Sequence, residues 1–111
     1  KKIIIKKKFN IFFKKKIILF CAGRAGSIAS KILQNLNFKI SMFIDNNENF
    51  ASSYVNKIKI NNSKYLKKNF NKLKNNPIII CDNKKPVIKS ISRQVKKIGF
   101  KNKDIFAFDM L

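Results

Sequence analysis

The residues with most chemical content lie in one short stretch, Cys21-Ala22-Gly23-Arg24-Ala25-Gly26-Ser27, and in one acid further on, Asp45. The stretch follows the apolar run Ile17-Ile18-Leu19-Phe20 and precedes apolar residues at helical spacing, so it reads as a strand-to-helix turn. Such a turn leaves backbone N–H groups free where the helix begins, and the helix dipole favours negative charge there. Gly23 lets the backbone approach an anion with no side chain between, and Gly26 lets the helix pack close to its strand. The N–H groups of Gly23, Arg24, Ala25, Gly26 and Ser27 are therefore candidate phosphate donors, and the Arg24 guanidinium can add a charge-assisted contact. Asp45 stands 22 positions past Gly23, near the end of the next apolar segment. A carboxylate there can accept hydrogen bonds from ribose hydroxyls and repels a 2′-phosphate. The spacing is that of G-x-G-x-x-G followed by an acid, with Cys21 in the first glycine's place. A plainer alternative stays open: two glycines that only make a tight turn, and an Asp45 that only opens the turn Asp45-Asn46-Asn47.

Other chemistry is sparse. Cys21 and Cys81 end two apolar runs, and both thiols, with Asp82, are expected to flank the same crevice. A buried free cysteine is usually an inert small hydrophobe, and that reading is preferred to a reactive pair. Two cysteines and no histidine exclude a disulfide framework and leave a zinc site without ligands. No catalytic residue and no metal site is assigned. The base pattern Y-x-x-x-K is absent, since Tyr54 is followed by Lys57 and Tyr65 by Asn69. There is no paired-carboxylate constellation.

The 111 residues fit one domain, and 45% hydrophobic content can fill its core. The formal net charge is +21. Nucleic acid or an anionic membrane would suit such a charge. Composition offers a duller source: Lys, Ile, Asn and Phe supply 69 residues and Arg only 2. Those four have AT-rich codons, and selected nucleic-acid surfaces use Arg as well, for its two-pronged grip. Genome bias is the preferred source, with nucleic acid bound only non-specifically at low salt. No stretch reaches the roughly 18 apolar residues of a membrane span, and the run 17–22 is too short for a signal-peptide core. The two thiols fit a reducing, cytoplasmic setting. The chain begins without Met and stops at Asp109-Met110-Leu111, so it is read as part of a longer protein.

The turn needs elements to hold it. Residues 1–15 alternate basic triplets with apolar bursts and are read as a linker or the end of a preceding segment. Membrane association through residues 1–16 is the less favoured reading. Phe9, Phe12 and Phe13, set among lysines, could stack on bases, though packing is preferred. Strands are expected at 17–20, 39–44, 58–60, 77–81 and 105–108, with 46–57 a polar loop. The first helix should bury Ile28, Ala29, Ile32, Leu33 and Leu36. A second, over 64–74, should be capped by Ser63 and turn Tyr65, Leu66, Phe70 and Leu73 inward. A third should start after Asp82-Asn83, carry Pro86 in its first turn and end at Gly99. Strands alternating with helices predict an α/β three-layer sandwich around a mostly parallel five-stranded sheet, order 3-2-1-4-5.

With these residues in view, Ile-Ile-Leu-Phe-Cys-Ala-Gly-Arg-Ala-Gly-Ser followed by Phe-Ile-Asp-Asn-Asn resembles the Rossmann-like nucleotide-sugar-binding modules of polysaccharide-biosynthesis proteins. These include sugar acetyltransferase N-terminal domains, the nucleoside-diphosphate-sugar epimerase group, and modules attached to FkbM-type and sugar methyltransferases. Weaker matches follow at Ile58-Lys59-Ile60, at residues 77–81 and at Val95-Lys96-Lys97-Ile98-Gly99-Phe100, so the resemblance spans about residues 16–108. It departs at Cys21, where the family has Gly, and between the second and third strands, which lack the usual glycines. The resemblance implies that Gly23, Arg24, Ala25 and Gly26 contact a diphosphate, and that Asp45 and Asn46 contact the nucleoside. The implied ligand is a UDP-linked nucleotide sugar, and the implied role is a binding module joined covalently to a catalytic domain. An NAD(H)-binding domain of a dehydrogenase or of a redox or ion-channel regulator is the alternative, since Asp45 serves both ligands. A charge-driven nucleic-acid-binding protein is the second alternative.

Overall fold

The computed structural model describes residues 15–108. The readings made for residues 1–14, including Phe9, Phe12 and Phe13, lie outside the described residues. Four apolar residues in a row have no polar face for water, and Ile17–Phe20 (β1) is accordingly buried at every position. The chain continues through helix α1 (Arg24–Asn35) and β2 (Ile40–Ile44) to a short 3₁₀ turn (Glu48–Phe50). Next come β3 (Tyr54–Val55), β4 (Ile58–Asn61), α2 (Ser63–Lys68) and α3 (Phe70–Leu73). Then β5 (Ile78–Ile80), α4 (Lys85–Ile98), a second 3₁₀ turn (Asn102–Asp104) and β6 (Ile105–Ala107) complete the described fold.

The strands form one six-stranded sheet, order β3-β4-β2-β1-β5-β6. All pairs are parallel except β3 with β4. The expected order 3-2-1-4-5 is β4-β2-β1-β5-β6, with β3 added at one edge. Phe20 of β1 lies between Ile44 of β2 and Ile80 of β5, so the three strands end level at the edge where α1 begins. Side chains of β1 alternate between two cores. Ile17 and Leu19 meet Ala29 and Leu33 of α1 on one face. Ile18 and Phe20 meet Leu66, Ile91 and Val95 of α2 and α4 on the other.

Local chemistry shifts several expected boundaries. Residues 46–57 are not only loop, since Tyr54 and Val55 pair with Lys59 and Ile58 as a hairpin. Its turn residues Asn56 (φ 50°) and Lys57 (φ 69°) are both left-handed, the conformation that matches strand twist in a two-residue hairpin. The cap of α2 is Asn62, not Ser63: Asn62 is still extended, and its side chain accepts the Tyr65 N–H at 3.0 Å. The helix expected over 64–74 breaks at Asn69, whose Nδ2 donates to the Tyr65 carbonyl at 3.0 Å and competes with the helix ladder. Tyr65 faces out at 41% exposure, because Leu66 takes the inward position. On α1, Ile32 (36%) and Leu36 (39%) are left exposed. The close seat of Gly26 against β1 rotates the helix so that Ala29, Ser30 and Leu33 face inward. At α4, Lys84 is the cap residue, and Asp82 Oδ1 instead accepts the Lys84 N–H at 2.7 Å. Gly99, with φ 131°, ends that helix as expected.

Candidate functional site

The chain leaves β1 through Cys21, whose N–H still donates to the Ile44 carbonyl at 2.7 Å. Its φ is 82°, a left-handed conformation that costs a non-glycine residue about 1–2 kcal/mol. This is the position where the fingerprint has its first glycine. The next N–H, of Ala22, points across to β2 and donates to Asp45 Oδ2 at 2.7 Å. Gly23 then caps α1 with extended backbone, no side-chain cap and no acid in the first turn. The N–H groups of Gly23, Arg24, Ala25 and Gly26 have no hydrogen-bond partner among the described residues. Ser27 departs from expectation: its N–H donates to the Gly23 carbonyl at 2.9 Å as the helix's first internal bond, and it leaves the cradle.

The two glycines have separate roles. A Cβ on Gly23 would meet nothing within 4 Å, so the space before its backbone is open. A Cβ on Gly26 would overlap the Cys21 carbonyl oxygen and lie 3.0 Å from Phe43 Cε1. Gly26 therefore sets the packing of α1 on β1 and β2, while Gly23 keeps the approach to the free amides clear.

Asp45 is both a turn residue and a tie. Its Oδ1 accepts the Asn47 N–H at 2.8 Å, and its Oδ2 joins the end of β2 to the glycine turn. A carboxylate oxygen has two lone pairs, so each oxygen can still accept a hydroxyl. Asn46 is engaged elsewhere: its side-chain amide exchanges two hydrogen bonds of 2.9 Å with that of Gln94 on α4.

Beside the turn lies a crevice of about 390 Å³ lined by Phe20, Cys21, Asp45, Asn46, Pro86, Val87, Ser90 and Ile91. It sits where β1 parts from its two neighbours, the place where open parallel sheets hold ligands. One wall is apolar and offers Phe20, Val87 and Ile91 to a flat ring. The rim carries Asp45, Asn46 and Ser90. Two expected lining residues are elsewhere. Cys81 is buried at the end of β5 beside Cys21, and its side chain joins the core on the α1 face of the sheet. Asp82 turns its Oδ1 to the Lys84 N–H instead. Sequence reasoning misses the α4 residues of the wall, Val87, Ser90 and Ile91, since apolar residues at helical spacing such as Val87 and Ile91 point to core packing alone. The signal that could find them is the start of a helix directly after the strand that flanks β1.

Both thiols are held protonated. Burial, then the charges of Asp45 and Asp82, pushes Cys21 up from 9.0 to about 12. Burial, then Cys21 and Asp82, pushes Cys81 up as well. Neither is a thiolate at neutral pH, which removes the basis for nucleophilic chemistry here. Among the described residues no group of three or more His, Cys, Asp or Glu could hold a metal ion, and no helix is long and apolar enough to cross a membrane.

No protein-family model matches the chain, and no curated protein does. Solved structures do. UDP-D-quinovosamine 4-dehydrogenase from Vibrio fischeri superposes with a TM-score of 0.70 at 20% identity, over 86% of this chain and 80% of that one. The Rex-family repressor RSP gives 0.65 at 13% identity, over 98% of this chain and 59% of the repressor. RSP in complex with β-NADH gives 0.63 at 13% identity, over 99% of this chain and 61% of that one. The chain thus spans about three-fifths of the repressor's length. Together with the strand order and the turn after β1, these likenesses show that the chain has a Rossmann fold.

Proposed function

We propose that this chain is a nucleotide-binding module that seats a diphosphate on the amides of Gly23, Arg24, Ala25 and Gly26. The observation that carries this reading is the set of N–H groups without a partner among the described residues, behind open space at Gly23. Arg24, exposed at the first position of α1, supplies a guanidinium to the same anion. Asp45 receives the ribose hydroxyls on its remaining lone pairs, and the base lies against Phe20, Val87 and Ile91. Asn46 acts through its bond to Gln94, which steadies that wall.

The leading ligand is a UDP-linked nucleotide sugar, held for an attached catalytic domain of a cytoplasmic sugar-modifying enzyme. The fold shared with a UDP-sugar dehydrogenase supports it. The second reading is NAD(H), favoured by a likeness to an NADH-bound repressor that runs over nearly the whole chain. Calorimetric titration of UDP-sugars and of NADH distinguishes them. One ligand should bind wild type and fail to bind Gly23→Val, whose fold circular dichroism shows to be retained. If neither ligand binds, and salt-sensitive DNA binding alone survives Gly23→Val, the nucleotide reading is wrong. Asp45→Asn is the better partner variant, because it keeps one acceptor oxygen for the N–H groups of Ala22 and Asn47, whereas Asp45→Ala keeps none.

A further inference from the structure

A second cleft, of about 310 Å³, lies between α2 and α4 and is lined by Ser63, Lys64, Lys67, Gln94, Lys97 and Ile98. Lys64 and Lys67 are three apart on α2 and so share a face, and Lys97 comes from the last turn of α4. None of the three is ion-paired with another described residue. Gln94 is held in place, since one hydrogen of its Nε2 goes to Asn46 Oδ1 and its Oε1 receives the Asn46 Nδ2. Its second amide hydrogen remains to be given. The lining therefore brings three lysines, an amide N–H and the Ser63 hydroxyl, and no carboxylate among the described residues.

We infer that this cleft binds a compact polyoxyanion of the phosphate class, such as pyrophosphate or a phosphomonoester. Two observations raise it above the general charge of the chain. Among the described residues no Lys or Arg lines the first crevice, whereas three Lys line this one. Like charges three apart on a short helix repel, and a shared anion converts that repulsion into binding. A small anion fits better than nucleic acid. A nucleic-acid backbone needs cations along an open track, whereas these three line one small cleft between two helices. Anion binding here is independent of what binds at Gly23, although the Asn46–Gln94 pair borders both clefts.

Titration of the full chain with inorganic pyrophosphate, followed by NMR at about 0.15 M salt, tests it. The Gln94 side-chain amide and the backbone amides of Ser63 and Lys64 should shift. The triple variant K64Q/K67Q/K97Q should bind about tenfold more weakly or worse. The control K31Q/K39Q/K101Q, which removes the same charge from elsewhere, should bind as wild type. Equal weakening in both triple variants would reduce the effect to net charge and overturn the inference. So would tighter binding of a short DNA duplex, lost in the same K64Q/K67Q/K97Q variant. Shifts confined to residues 23–26 would also sink it, while leaving the nucleotide reading intact.

Discussion

Adding one methyl group to each turn glycine should have opposite consequences. Gly23→Ala places its Cβ in open space, so folding stability should fall by no more than about 1 kcal/mol, the cost of alanine at an N-cap. Nucleotide affinity should fall, because the methyl occupies the anion's approach. Gly26→Ala drives its Cβ into the Cys21 carbonyl, and α1 cannot move off without opening the core at Phe43. Urea denaturation should show a loss of about 1–3 kcal/mol, the usual range for overpacking. Equal losses of stability in both variants would mean the two glycines share one structural role. Cys21 carries a separate prediction. Its folded-state pKa lies above its unfolded value, so its contribution to stability is complete below pH 9.0 and is lost as pH rises toward about 12. The urea midpoint of wild type should fall across that window more steeply than that of Cys21→Ala/Cys81→Ala. Iodoacetamide should label native Cys21 far more slowly than a free thiol at neutral pH.

Among the elements, the β3–β4 hairpin shows how a short edge strand is fixed. Asn56 at its turn donates from Nδ2 to the Ser27 carbonyl (3.0 Å) and to Ser30 Oγ (2.7 Å), which anchors the hairpin to α1. Ser30 is fully buried, and its own hydroxyl donates to the Ser27 carbonyl at 2.8 Å. Asn56→Ala should cost about 1–3 kcal/mol in chemical denaturation, from two lost hydrogen bonds of about 0.5–1.5 kcal/mol each. Lys57→Gly should act in the other direction. Lys57 holds φ at 69°, and glycine would relieve about 1 kcal/mol of left-handed strain. A thermal melt of the two variants, one lowered and one raised, checks both. Elsewhere, T-shaped packing of Phe70 on Phe100, with centroids 5.2 Å apart, ties the short helix α3 to the end of α4.

At the scale of the whole molecule, charge outweighs every other surface property. A formal net charge of +21 on 111 residues works against compaction through self-repulsion. Added salt should raise the melting temperature from low ionic strength up to about 0.15 M, where the Debye length is ~8 Å. Over the same range non-specific DNA binding should weaken steeply. A nucleotide seated on four backbone amides and one guanidinium should lose much less affinity to salt. Parallel titrations of DNA and nucleotide across the salt series would reveal whether the two share a site.

Much of this fold can be read from local pattern. The apolar runs at 17–20 and 78–80, short and bounded by turn residues, read as strands covered on both faces, and the helix over 85–98 carries its own spacing and its own glycine stop. Their alternation leaves few topologies, and the central strand order follows from it. Gly23, Gly26 and Asp45 are legible for the same reason: a turn between a buried strand and a helix needs particular residues at particular offsets. What required the third dimension is everything that joins residues far apart in the chain. That Asp45 binds the Ala22 amide, that Asn46 is paired with Gln94, and that Cys81 faces the core under α1 rather than the crevice depend on sheet register and helix rotation. Those are decided by how the two cores fill, with Gly26 setting the height of α1 over β1, and no window of sequence contains both partners.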